Sequence, residues 1–233
     1  MIVDSHCHLY DIKNFSPVEN ILPVISGYSH STNLKTIEIA KKYNYPFCIG
    51  IAPQTVLKEG MDKLDLWVST IKRSKPNAIG EIGLDYHWAK TDEQKKLQGK
   101  CFNEMIALAE SMKLPIVLHS RETTNICLDM LEEAKFKGKV MLHFFSGIVE
   151  DALRTVSIGG FVSFPPVGSK SRKDTLLKIP LESILVETDA PFVGRNISDV
   201  SDSIKYVAGV KNSDFDTVAD QTAKNAFGFF NIR

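Results

Sequence analysis

Apolar and polar positions alternate along the chain in two registers. Short runs rich in β-branched and other apolar residues recur as MIVDSH, NILPVIS, FCIGIA, AIGEIGL, PIVLHS, KVMLHF, GGFVSF and SILVET. Each is the length of a strand, and most are apolar almost throughout, as strands buried on both faces are. Between them lie stretches such as LKTIEIAKKY (residues 34–43) and CFNEMIALAESM (residues 101–112), where apolar residues return every three or four positions. That spacing predicts amphipathic helices. Asp92 is a plausible N-cap ahead of EQKKLQGKCF, Pro115 closes the helix before the next strand, and DFDTVADQTAKNAFGFF adds a final helix.

Eight strands, each followed by a helix or by a loop long enough to hold one, fit an α/β fold of the (β/α)8 TIM-barrel kind, which takes about 200–250 residues. A doubly wound open sheet is the competing architecture, and no GxGxxG fingerprint opens the first helix to support it. There is no linker, low-complexity tract or short repeat, so residues 1–233 read as a single domain.

Active sites of such barrels lie at the C-terminal ends of the strands. The polar residues expected there are His6 and His8 after the first strand, Glu81 late in the fourth, His119 at the end of the fifth and His143 at the end of the sixth. Glu187 and Asp189 end the eighth. Four of the six histidines thus stand where eight strands converge. In strict alternation Asp4, His6 and His8 project to one face and Cys7 to the other. Together these residues form a metal-ligating constellation, with His6 and His8 as ligands. Four imidazoles and two or three carboxylates exceed the need of one tetrahedral ion and suit two, with Glu81 as the bridge. A shell this rich in imidazole favours Zn, Mn, Fe or Ni over Mg. Asp189 is placed both to bind metal and to take a proton from water.

The blocks DSHCHL, GEIGLDY, LHSRE, HFFSG and ILVETDAPF, in this order and closed by QTAKNAFGFF, resemble the TatD-type metal-dependent hydrolases, often described as deoxyribonucleases. The resemblance runs over essentially the whole chain. It implies a TIM barrel, a centre of two divalent ions and hydrolysis of phosphodiester bonds, with DNA as the nucleic-acid substrate. Carried over motif by motif, His6, His8, Glu81 and Asp189 hold one ion, and Glu81, His119 and His143 the other. The departures fall on the substrate rim. Where family members usually carry a GxHP turn the chain has GIAPQ, placing Ala52 at the histidine position, with Gln54 two residues on. The usual HCFSG is HFFSG, and the loop after TDAP is shortened to FVGRNISD.

Arg121, two residues past His119, is read as a phosphate clamp, since a guanidinium fork pairs with phosphate oxygens. The basic stretch PPVGSKSRK and Arg195 are weaker candidates for phosphate contact, and His30 and His87 are read as loop residues. Asp85, Asp4 and Glu187 are read as supports behind the ligands or as structural turn residues. The competing functions are a barrel amidohydrolase acting on a C–N or ester bond, and a metal-binding scaffold with an altered rim.

Charge and composition narrow the setting. Lys+Arg and Asp+Glu are each 28, so bulk charge does not hold the protein on nucleic acid or on a membrane. No apolar run reaches the length of a membrane span and no basic region followed by a hydrophobic one opens the chain, which leads us to expect a cytoplasmic protein. Cys7, Cys48, Cys101 and Cys127 form no CxxC pair and are read as buried apolar side chains of a reducing compartment.

Overall fold

In the computed structural model, which describes residues 1–232, every one of the eight apolar runs forms a strand. These are β1 (Ile2–Cys7), β2 (Ile21–Gly27), β3 (Phe47–Ile49), β4 (Ala78–Asp85), β5 (Ile116–Arg121), β6 (Val140–Leu142), β7 (Phe161–Phe164) and β8 (Ile184–Val186). Each pairs in parallel with the next, in the order β1 to β8. The ring is drawn together just past β8, where Asp189 N donates to His6 O (3.0 Å) and His8 N to Ala190 O (2.7 Å).

From β2 onward helices return the chain between strands: α1 (His30–Tyr43), α2 (Pro53–Glu59), α3 (Leu64–Ser74), α4 (Asp92–Met112), α5 (Thr124–Glu133), α6 (Val149–Ser157) and α7 (Lys170–Lys178), with α8 (Val200–Lys211) and α9 (Phe215–Phe230) after β8. Their boundaries follow local chemistry. Ser29 and Thr32 form a capping box at α1, so this helix begins four residues before its periodic stretch. At α4 the cap is Thr91 rather than Asp92, because Thr91 and Gln94 satisfy each other's backbone amides; Asp92 becomes the first helical residue, beside the positive end of the helix dipole. The same helix stops at Met112, when Lys113 turns left-handed (φ 55°) and donates its N–H to Ala109 O. Pro115 lies beyond that cap, immediately before β5.

Two apolar layers result. Between strands and helices lie Ile79, Ile82, Leu118 and Val186 of the barrel wall with Trp67 of α3, Phe102 and Met105 of α4 and Ile204 of α8. Inside the barrel, Val3, Val24, Cys48, Ala78, Val117, Met141 and Leu185 form a floor, and Phe229 and Phe230 of α9 pack beneath it. One end of the barrel is thereby filled with hydrocarbon, leaving the C-terminal mouth for polar chemistry. Among the described residues no helix is long and apolar enough to cross a membrane.

All four cysteines are buried and unpaired. Burial pushes the thiols of Cys48, Cys101 and Cys127 up to about 12 and raises that of Cys7 as well. Since the thiolate is the reactive form, the folded protein at pH 8 should react with a disulfide reagent at least ~100-fold more slowly than free cysteine, and all four thiols should react once it is unfolded. A rapidly titrating thiol in the native protein would contradict this burial.

Candidate metal centre

The strands bring His6, His8, Glu81, His119, His143 and Asp189 to one place. Glu81, from β4, lies at the middle of it. Its Oε1 is 3.3 Å from His6 Nε2 and 3.3 Å from His8 Nε2, while Oε2 is 3.7 Å from His119 Nδ1 and 3.6 Å from His143 Nε2. Asp189 Oδ1 is 3.3 Å from His8 Nε2 and 3.8 Å from His6 Nε2.

Three of the four imidazoles are hydrogen-bonded through their other nitrogen, and the fourth, His143, faces a carboxylate. His6 Nδ1 meets Ser26 Oγ at 2.9 Å. His8 Nδ1 lies 2.9 Å from Ser26 O and 2.8 Å from Tyr10 Oη. A carbonyl only accepts, so His8 carries its proton on Nδ1 and turns the Nε2 lone pair toward Glu81. His119 is reversed: Nε2 donates to Asp85 Oδ2 (2.9 Å), leaving Nδ1 as the free nitrogen. His143 Nδ1 lies 3.3 Å from Glu187 Oε1, with Nε2 inward. Asp85 and Glu187 therefore stand behind ligand candidates, one of the two roles read for them in the sequence. Asp4 does not face the centre. Its carboxylate accepts from Thr188 N (2.9 Å) and Thr188 Oγ1 (2.6 Å), which ties the segment bearing Asp189 to β1.

The reason lies in the pairing. Between Asp4 and Cys7, β1 uses one residue more than β2, and between Ile79 and Ile82, β4 uses one more than β5. These two bulges fall on His6 and on Glu81 and re-aim them, so simple alternation does not carry from Asp4 to His6. Asp189 (φ 50°) and Phe144 (φ 46°) are both left-handed, a conformation that costs a non-glycine residue about 1 kcal/mol or more. Hydrogen bonds from Asp189 N to His6 O (3.0 Å) and from Phe144 N to Glu187 Oε1 (2.6 Å) hold them there.

The electrostatics favour a cation. Burial alone would raise the Glu81 carboxyl, but the His6 contact and the neighbouring imidazoles outweigh it and hold Glu81 far below the usual carboxylate range. Asp189 is likewise lowered, burial being overcome by His8 and the other histidines. His6 is lowered by burial and by His143. Burial also opposes charging His143, yet Glu187 and Glu81 push it up to about 9, and Asp189 and Glu81 raise His8 in the same way. Despite these fields, His6 Nε2 and Glu81 Oε1 are both buried without a hydrogen-bond partner. Orphaned atoms of this kind are costly, and an imidazole lone pair beside a carboxylate oxygen is the donor set a divalent ion takes. Three sets of donor atoms lie within 4.8 Å of one another: His6, His8 and Glu81; Glu81, His119 and His143; and His6, His143 and Asp189. The residues fit the metal.

Above them opens a cavity of about 650 Å³ lined by His8, Glu81, His119, His143 and Asp189 together with Tyr28, Gln54, Arg121 and Phe192. Arg121 ends β5, exposed at the rim. Gln54 Nε2 donates to Asp85 Oδ2 at 3.4 Å, beside the His119 ring. Other candidates lie apart from the cavity. In PPVGSKSRK, Arg172 is buried, donates to Phe145 O (2.8 Å) and Val167 O (3.0 Å) and sits 4.7 Å over the Phe144 ring, which makes it part of the scaffold. Arg195 is exposed and its backbone binds Asp199. His30 opens α1, and His87 pairs with Glu122 at 3.4 Å. Ser26, Tyr10, Tyr28 and Phe192 were not singled out in the sequence, though Ser26 and Tyr28 stand at the mouth of β2, where the strand-end rule directs attention.

The sequence matches the family described as TatD related DNase over residues 3–231, and the chain belongs to that family. It is 31% identical to the uncharacterized metal-dependent hydrolase YabD of Bacillus subtilis over the whole of both chains. It is also 31% identical to the human deoxyribonuclease TATDN3, across 98% of this chain and 94% of that one. Among solved structures, the TatD homologue YjjV of Escherichia coli has the same fold, with a TM-score of 0.85 at 24% identity over 100% of this chain and 98% of that one.

Removing the Asp4 carboxylate strands three buried donors: Thr188 N, Thr188 Oγ1 and His6 N. Asp4→Ala should lower the unfolding free energy by about 2–4 kcal/mol, read as a shifted urea midpoint with an unchanged slope.

Proposed function

We propose that this TatD-family chain is a metal-dependent hydrolase that cleaves phosphodiester bonds, with DNA as its substrate, and that it works with two divalent ions. The observation that carries the reading is the arrangement around Glu81: four imidazoles turn one nitrogen toward a single buried carboxylate, three of them hydrogen-bonded through the other nitrogen and the fourth, His143, facing Glu187. His6, His8, Glu81 and Asp189 would hold one ion and Glu81, His119 and His143 the other. The names of the relatives point the same way, one as a metal-dependent hydrolase and another as a deoxyribonuclease.

When bound, the ions supply Lewis-acid polarisation of the phosphoryl group and lower the pKa of water toward neutrality. The chain's own groups do the rest. Asp189 is held ionised at the cavity edge, so it accepts the proton of the attacking water. Its left-handed turn and its bond to His6 O fix where that acceptor stands. Arg121, exposed on the cavity wall, pairs its planar fork with phosphate oxygens, a contact that a neutral amide substrate does not offer.

Three measurements test this reading. After reconstitution, elemental analysis should find about two ions per chain and fewer in Glu81→Ala, and metal at trace level in well-folded, loaded protein would remove the centre. Asp189→Asn should lower turnover about 10²-fold or more with the fold retained; turnover near that of the wild type would take Asp189 out of the mechanism. Arg121→Ala should cost about one to two decades in kcat/KM on a short oligonucleotide at unchanged metal content, with Arg121→Lys recovering only part. Equal losses on a neutral ester would make Arg121 structural and remove this argument for a phosphodiester over a C–N or carboxylic ester substrate.

A further inference from the structure

The cavity has two unlike halves. Tyr28 past the end of β2, Gln54 in α2 and Phe192 beyond β8 come from one side of the barrel, whereas Ser120 and Arg121 of β5 and Ser146 beyond β6 come from the other. The second half is polar except for the half-buried Phe144, carries the Arg121 guanidinium, and continues through Ser120, Arg121 and Ser146 into an adjoining cavity of about 560 Å³ lined by Thr123, Thr124 and Asn125 and by the carboxylates of Glu122 and Asp151. The first half is aromatic. Phe192 is 58% exposed, with its ring centroid 5.0 Å from that of His8, and the Tyr28 ring lies 5.6 Å from the same imidazole.

A single exposed ring on a protein surface needs no explanation. Two rings that flank one ligand candidate and line one cavity form a platform. Both are held by their backbones. Phe192 N donates to Asp189 O at 2.8 Å, and Tyr28 O accepts from Ala52 N at 2.9 Å and Thr55 Oγ1 at 2.8 Å. Their places are therefore set relative to Asp189 and the barrel rim, and the rings meet the ligand without reordering the loops that carry them.

We infer that Tyr28 and Phe192 form a subsite for a nucleobase, that of the nucleotide on one side of the scissile phosphate, with the continuing backbone on the other side directed toward Arg121. The inference rests on the phosphodiester reading and adds to it a position where the base itself is bound. Charge and shape support it: a phosphate seated over the histidines has an apolar, aromatic wall on one flank and a guanidinium with hydroxyls on the other, which matches the alternation of base and backbone in a polynucleotide. Every base presents a π-face, so the subsite is tolerant of sequence.

The test uses a short oligonucleotide with one central phosphodiester between phosphorothioate linkages, and two analogues lacking the base on its 5′ or its 3′ side. With metal-loaded protein, one of the two analogues should lose about 10-fold in kcat/KM and the other should change little. Phe192→Ala and Tyr28→Ala should each lower kcat/KM on the intact oligomer and cost nothing further on the sensitive analogue, because they remove the same contact. Phe192→Trp should retain the preference, and metal content should stay that of the wild type throughout. A 2-aminopurine at the sensitive position should be quenched on binding to the wild type and less so by Phe192→Ala. If both abasic analogues are cleaved as fast as the intact oligomer, or if Phe192→Ala loses equally on all three, the subsite is wrong while the phosphodiester reading stands. If the wild type cleaves none of the three yet hydrolyses a carboxylic ester, both fall.

Discussion

A buried carboxylate among four imidazoles is the constraint around which this molecule is arranged. Glu81 lies within 3.7 Å of nitrogens on His6, His8, His119 and His143, which come from β1 and its continuation, from β5 and from just past β6. Such a group is costly to bury unless positive charge or a metal compensates it. Hydrogen bonds to His6, His8 and His119 turn their free nitrogens toward the same spot. Ser26 serves two histidines at once, one through its hydroxyl and one through its carbonyl. Asp85 and Glu187 each stand behind one more. Orientation is thus decided one layer out from the atoms that would touch a cation, and those outer contacts carry much of its precision.

The barrel separates this polar end from the apolar one along its own axis. Val3 and His6 share one strand, as do Val117 and His119, so these strands supply the floor with their first residues and the site with their last. The Phe229 and Phe230 rings closing the floor come from the last helix of the chain. Rigidity below and chemistry above are there properties of the same segments. Arg172, tucked against Phe144 and two backbone carbonyls, braces the chain following β6 and β7.

Much of this was legible in the order of residues. All eight strands coincide with apolar runs, because a strand buried on both faces has little room for polar side chains. The rule that chemistry gathers at strand ends located His6, His8, Glu81, His119, His143 and Asp189, which the structure brings together. Three things were not legible. The cap of α4 moved to Thr91 through a reciprocal bond with Gln94 that Asp92 cannot make. Arg172 belongs to a basic stretch in sequence and to the scaffold in space, since the Phe145 carbonyl of the loop after β6 and the Val167 carbonyl of its own loop bind it. The aromatic wall of Tyr28 and Phe192 joins residues that lie far apart along the chain, so only the closed barrel shows them as neighbours.

The two bulges have an evolutionary consequence. The direction in which His6 and Glu81 point is set by a count of residues, one extra in β1 and one extra in β4, rather than by the identity of any side chain nearby. Point substitution can therefore change what is presented at these positions, but it does not readily change where it is presented. Deleting one residue from either bulge would restore regular pairing and swing the ligand away while leaving the barrel's apolar layers in place. Descendants of this chain that shed their chemistry have two separate routes: replacing the side chains on a preserved frame, or losing a single codon and keeping every histidine with nothing for it to hold.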